Sequence, residues 1–164
     1  MTGRTTLVAC IGNELVADDA VGYHIFAALQ ESTLPAGVRL TYCGVGGVAL
    51  LELLQEGDAG LIVVDAVQFG SAPGTLHRLD WEELPPVSEH AVSAHGIGLK
   101  DTIAIGRTLY PERMPAQVVL IGIEGRCFDQ LGGAMTAEVA AALPAAVEMI
   151  RRELDRYADI GGKA

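Results

Sequence analysis

The chain has 164 residues, half of them hydrophobic, which fits one globular domain with its own core. Its formal net charge of -10 excludes the basic surface that nucleic-acid phosphates require, so we expect no nucleic-acid partner. No apolar run reaches the length of about 18 residues that a membrane span needs, and residues 1–6 are too short and polar for a signal peptide, so we expect a cytoplasmic protein that does not enter a membrane.

Strands and helices alternate in the first half of the chain. An apolar strand over 7–11 ends on Gly12, and helical spacing follows over 19–31 with Asp18 as the expected N-cap. A second strand over 38–43 passes through a glycine-rich turn into a short helix that ends near 54, and a third strand covers 61–66. Alternating polarity over 75–80 predicts an edge strand, which we expect to be antiparallel because no helix separates it from the third strand.

The second half continues the alternation after a long loop. Residues 81–94 are acidic, interrupted by proline and aperiodic, which is typical of a functional loop. Helical spacing covers 98–110 and 136–157, with an apolar strand over 117–123 between them. These elements predict a single three-layer α/β/α domain over 1–164, with its core at about 5–157. We expect a twisted, mostly parallel sheet of about five strands with one antiparallel edge strand.

Three residues that can bind a metal ion lie near two strand ends and in one loop. Asp19 begins the first helix, Asp65 ends the third strand, and His95 lies in the loop beyond it. Parallel strands place their carboxyl ends at one edge of a sheet, so these side chains converge there. Two carboxylates and an imidazole suit zinc or nickel and leave a coordination position open. Each aspartate alone has an ordinary alternative, as a helix cap or a turn former.

Other chemistries have weaker support. Asp18 beside Asp19 permits a pair of carboxylates for general acid catalysis, but adjacent residues at a helix start point in different directions. There is no G-x-S-x-G motif, and Cys10 and Cys43 lie within strands, where a thiolate is costly. The single glycine after the first strand fits no nucleotide-binding motif, so we expect no organic cofactor. Residues 124–129 either line the site or close the loop after the last strand.

Five short motifs occur in order along nearly the whole chain. They are Gly12-Asn13, Asp18-Asp19 with Gly22, Val64-Asp65-Ala66, Pro73-Gly74, and Ser93-Ala94-His95 with Leu99. Together they resemble the [NiFe]-hydrogenase maturation endopeptidases. Two positions depart from that family: Ala20 stands where it often has glycine, and residues 135–138 replace its usual Leu-Ser/Thr-Pro-Glu.

The resemblance implies an endopeptidase that removes a C-terminal peptide from the hydrogenase large-subunit precursor after nickel insertion. It implies that Asp19, Asp65 and His95 bind nickel that the substrate presents, with Asp18 as a candidate helper base in metal-assisted hydrolysis. We expect a monomer. Two alternatives stay open: cleavage driven by carboxylates without a metal, and a non-catalytic, nickel-dependent chaperone or scaffold for hydrogenase assembly.

Overall fold

The structure is a computed structural model that describes residues 4–84 and 98–161. Its strands are β1 (Thr5–Cys10), β2 (Val38–Tyr42), β3 (Asp58–Val67), β4 (Leu76–Asp80) and β5 (Gln117–Glu124). Its α-helices are α1 (Val21–Gln30), α2 (Ala49–Leu53), α3 (Leu99–Leu109) and α4 (Ala137–Gly161), and two short 3₁₀ helices cover Ala17–Ala20 and Trp81–Glu83.

The five strands form one sheet in the order β2-β1-β3-β5-β4. The pairs β1–β2, β1–β3 and β3–β5 are parallel, and β4 is antiparallel to β5. The predicted fold class, with a mostly parallel sheet and one antiparallel edge strand, is confirmed. The edge strand β4 follows β3 in sequence but pairs with β5. The segment that connects β3 to β4 therefore crosses the carboxyl end of β5.

Helices cover both faces of the sheet because side chains alternate between the faces along each strand. On one face α1 and α4 bury a core against β1, β3 and β5, and on the other α2 and α3 do the same. The fully buried side chains of the first core include Ile25, Leu29, Ile62, Ile121 and Ile150, and those of the second include Leu7, Leu50, Leu61 and Ile103. The sheet is therefore the rigid platform between two apolar layers.

A buried carboxylate fixes the amino-terminal edge of the sheet. The Asp58 side chain accepts hydrogen bonds from the Thr5 hydroxyl at 2.5 Å and from the Gln55 backbone N–H at 2.8 Å, and it pairs with the Arg39 guanidinium. Arg39 also donates to the Leu53 carbonyl. These contacts join β1, β2 and β3 at the end of the sheet away from the predicted site.

Three details of the sequence prediction change. β3 begins at Asp58 and is longer than the predicted strand over 61–66. The proposed N-cap role of Asp18 is wrong, because α1 has Ala20 at its N-cap without a side-chain hydrogen bond, and the 3₁₀ helix Ala17–Ala20 precedes it. The predicted loop over 81–94 opens with the 3₁₀ helix Trp81–Glu83, and its residues 85–94 lie outside the described residues.

Over the described ranges, no helix combines the length and apolarity needed to cross a membrane.

Candidate functional site

The carboxyl ends of β1 and β3 place Asp19 and Asp65 at one edge of the sheet. Cys10, the last residue of β1, pairs with Val64, so Asp65 follows directly at the point where β1 ends. Asp19 lies in the 3₁₀ helix after β1, and its Oδ2 accepts a hydrogen bond from the Asn13 backbone N–H at 2.9 Å. Both carboxylates therefore belong to the edge that the sequence predicts.

Two glycines let the segment that carries Asp19 pack directly on the end of β1. A Cβ at Gly12 would lie 2.1 Å from the Asp19 carbonyl oxygen, and one at Gly22 would lie 1.9 Å from the Ile11 carbonyl oxygen. The φ of Gly12 is 146°, which also disfavours other residues. The Tyr42 hydroxyl donates to the Gly12 carbonyl at 2.5 Å and supports the same turn. Backbone contacts thus set the distance between Asp19 and the sheet.

Asp65 shares a face of β3 with Val63 and Val67, which pack in the core beneath α2 and α3. Burial, and to a smaller degree the Cys43 thiol and the Asp65 carboxylate, raise the pKa of Cys10. Burial raises the pKa of Cys43 to about 11. Both thiols are protonated at neutral pH, so neither has the thiolate character of a cysteine nucleophile.

The third predicted ligand, His95, lies outside the described residues, as do Ser93 and Ala94. The orientation of α3, which follows them, is described. Arg107, near the end of α3, stacks over the Trp81 ring at 4.1 Å, and Trp81 follows β4 at the amino-terminal edge of the sheet. The first residues of α3 therefore point toward the carboxyl edge. Among the described residues, no three His, Cys, Asp or Glu side chains form a metal-binding group.

Asp18 has a different set of partners from Asp19 and binds the segment between β5 and α4. Its Oδ2 accepts from the backbone N–H groups of Arg126 at 2.8 Å and Cys127 at 2.9 Å, and its Oδ1 accepts from the Thr136 N–H at 2.7 Å and hydroxyl at 3.0 Å. Burial raises the pKa of Asp18, but these hydrogen bonds outweigh it and hold the pKa below its usual value. Sequence analysis missed this contact, since no local pattern links residues so far apart.

Glu124, at the end of β5, is another buried carboxylate at this edge. It accepts hydrogen bonds from the backbone N–H groups of Phe69 and Gly70, each at 2.9 Å, and its Oε2 lies 3.1 Å from His77 Nε2. Glu124 thus holds the loop after β3, and the backbone of Arg126 and Cys127 supports Asp18. Whether 124–129 line the site or close the loop after β5 stays open as a prediction.

An open groove of about 580 Å³ lies beside this loop. It is lined by Gln68, Phe69, Gly70, Ser71, Pro73, Glu124, Gly125 and Arg126. Exposed apolar side chains also collect in the loops at this edge: Leu15 is 59% exposed and Leu131 is 77% exposed, and Val45 and Val48 are exposed as well. An isolated β-bridge between Val16 and Leu131 joins the loop after β1 to the loop after β5. Exposed apolar surface of this kind is typical of sites that contact another protein.

Comparison with known proteins gives consistent results. A family model described as hydrogenase maturation protease matches residues 23–153, a range that contains Asp65 and His95 and begins after Asp19. The hydrogenase 2 maturation protease of Escherichia coli is 32% identical over 146 residues, which cover 88% of this chain and 87% of the relative. The hydrogenase expression/formation protein HupD of Rhodobacter capsulatus is 36% identical over 150 residues, covering 90% and 70%. The solved structure of the hydrogenase maturating endopeptidase HybD from E. coli superposes with a TM-score of 0.76 at 27% identity, covering 93% of each chain.

Proposed function

The chain belongs to the hydrogenase maturation protease family, and from this premise we propose that it removes the C-terminal extension of a [NiFe]-hydrogenase large-subunit precursor after nickel insertion. The observation that carries the proposal is the position of Asp19 and Asp65 at the carboxyl edge of β1 and β3. The first residues of α3 point toward the same edge. Open α/β sheets bind ligands at this edge.

The ligand set in this proposal consists of Asp19, Asp65 and His95. Carboxylate oxygens and an imidazole nitrogen are suitable donors for nickel, and three protein ligands leave positions for groups of the substrate. Nickel is part of the substrate here, because it arrives already bound to the precursor. The fixed contacts of Asp19, through Asn13 and the glycine-lined turn, support a preformed site.

The chemistry we propose is metal-assisted hydrolysis. A bound ion polarises a carbonyl oxygen or lowers the pKa of a water molecule, and either effect promotes attack on the scissile peptide bond. The raised pKa values of Cys10 and Cys43 argue against a thiolate nucleophile at this edge. A cleavage driven by carboxylates alone is the mechanistic alternative, and the metal content of the substrate separates the two.

The surface around the two aspartates supports a protein substrate. Leu15, Leu131, Val45 and Val48 expose apolar area in loops at the same edge, and the open groove beside Phe69 extends it on the side of β5. A folded precursor that presents its metal centre and an adjacent chain segment would bury such a surface, whereas a small-molecule substrate needs an enclosed pocket.

The test is to incubate catalytic amounts of the protein with nickel-loaded precursor, metal-free precursor and precursor whose cysteine ligands to nickel are replaced. Product is measured by mass spectrometry over time. We expect multiple turnovers on the nickel-loaded substrate and no product from the other two, with no rescue by free nickel.

Each other outcome has a defined meaning. Equal cleavage of all three substrates would eliminate recognition of substrate-borne nickel. Tight, stoichiometric binding to the nickel-loaded precursor without any product would refute the endopeptidase and favour the non-catalytic scaffold.

A further inference from the structure

We propose that Asp18 is a positioning residue, which holds the 3₁₀ helix Ala17–Ala20, and with it Asp19, against the segment between β5 and α4. The role assigned to Asp19 rests on the proposed function. The contacts of Asp18 itself do not, and they can be tested without a substrate.

The first support is the completeness of the contacts. Asp18 is fully buried, and both of its carboxylate oxygens accept hydrogen bonds, from three backbone N–H groups and one hydroxyl. The Asp18 backbone N–H donates in turn to the Cys127 carbonyl at 3.0 Å. Close by, the Gly132 N–H donates to the Leu15 carbonyl at 2.6 Å. The two segments are therefore joined through side chain and backbone together.

The second support is the weakness of the helix that Asp18 anchors. A four-residue 3₁₀ helix has little stability of its own, and this one has no side-chain hydrogen bond at its N-cap, Val16. Its first residue, Ala17, has a φ of 21°. The position of Asp19 therefore depends on contacts with other parts of the chain, and Asp18 is the adjacent residue that supplies them.

The same contacts argue against the helper-base role. A general base works best with a pKa near the operating pH and a free lone pair directed at the substrate. Both oxygens of Asp18 accept hydrogen bonds from the segment between β5 and α4, a set of donors separate from the Asn13 N–H that binds Asp19.

The principal test is Asp18→Asn, which keeps the shape of the side chain but turns an amide NH₂ toward N–H donors. The matched control is Asp58→Asn, which changes a buried, hydrogen-bonded carboxylate at the opposite edge of the sheet. The substrate-free readout is the Asn13 backbone amide in ¹H–¹⁵N spectra, because this N–H donates to Asp19 Oδ2. We expect its resonance to shift and its hydrogen exchange to accelerate in Asp18→Asn and to remain unchanged in Asp58→Asn.

Activity on nickel-loaded precursor is the second readout. We expect kcat to fall by about 10- to 100-fold in Asp18→Asn, the cost of misplacing a reacting group by about 1 Å, and to stay near the wild-type value in Asp58→Asn below its melting temperature. Thr136→Val is a milder variant that removes only the hydroxyl bond to Asp18. For positioning, Thr136→Val lowers kcat by less than Asp18→Asn does and shifts the Asn13 amide resonance in the same direction.

A helper base predicts different results. Thr136→Val and Asp18→Asn would then each lose activity with an unchanged Asn13 amide, because a base acts on the substrate and not through the position of Asp19. Either result, or full activity of a folded Asp18→Asn, would overturn the proposal. If the wild-type protein cleaves no precursor, the proposed function fails, while the Asn13 amide still decides whether Asp18 positions Asp19.

Discussion

The packing of Gly22 on Ile11 gives a quantitative prediction for the placement of Asp19. Gly22 is the second residue of α1, and a Cβ there would lie 1.9 Å from the Ile11 carbonyl oxygen. Carbon–oxygen contacts are normally about 3.3 Å or longer, so Gly22→Ala must move the start of α1 away from the end of β1 by roughly 1.4 Å. The obstructing atom is the backbone carbonyl oxygen of the residue directly after β1, whose N–H is hydrogen-bonded to the Val64 carbonyl of β3, so it cannot rotate away like a side chain.

Two free-energy terms decide the stability of this variant. Overpacking costs about 1–3 kcal/mol or more, and replacing a helical glycine with alanine returns at most about 1 kcal/mol. We expect a net loss of about 1–2 kcal/mol, which lowers the melting temperature by about 2–8 °C for a chain of this length. The effect on activity should be larger, since a displacement of about 1 Å at a reacting site can cost about 100-fold in rate.

The assay compares Gly22→Ala with Gly106→Ala. Gly106 is also a helical glycine, but a Cβ there would meet the ends of flexible side chains, Met114 Sδ at 2.5 Å and Leu51 Cδ2 at 2.7 Å. Thermal unfolding and the rate on nickel-loaded precursor are measured for both variants. We expect Gly106→Ala to retain nearly wild-type activity. If Gly22→Ala cleaves at the wild-type rate while remaining folded, the close approach of α1 to β1 does not position the site.

Three further predictions follow from individual contacts. Asp65→Asn and His95→Ala should each abolish processing, because they remove proposed nickel ligands; normal cleavage by either variant would remove that residue from the ligand set. Asp58→Asn should lower the free energy of unfolding by about 3 kcal/mol, the lower end of the cost of breaking a buried ion pair, since Arg39 is partly exposed, and denaturant titration measures this loss. The folded-state pKa of Asp18 is lowered, so its contribution to stability is present above the unfolded-state value of about 3.9 and is lost as the pH falls through the folded-state value. Acid unfolding of Asp18→Asn should therefore show a flatter dependence on pH than that of the wild type, and equal slopes would contradict the lowered pKa.

The amino-acid sequence alone determined most elements of the fold and suggested two positions of the proposed site. Continuous apolar runs over 61–66 and 117–123 identify buried parallel strands, because both faces of such a sheet are covered by helices. Asp65 is recognisable because it lies near the carboxyl end of such a strand, and Asp19 because it lies in the segment after β1; the carboxyl ends of parallel strands meet at one edge. These features depend on periodicity and adjacency, which are local properties of a sequence.

The tertiary structure alone decided which distant segments meet. It placed β4 outside β5, although β3 precedes it in the chain. It also turned Asp18 from the expected helix cap into the acceptor for Thr136, which lies 118 residues later, and it joined Glu124 to Phe69 and His77. Aspartate is a plausible cap, base or ligand in any short sequence window, because its role depends on which donors reach its oxygens. Packing of the two helical layers on the sheet selects those donors, and no local pattern encodes them.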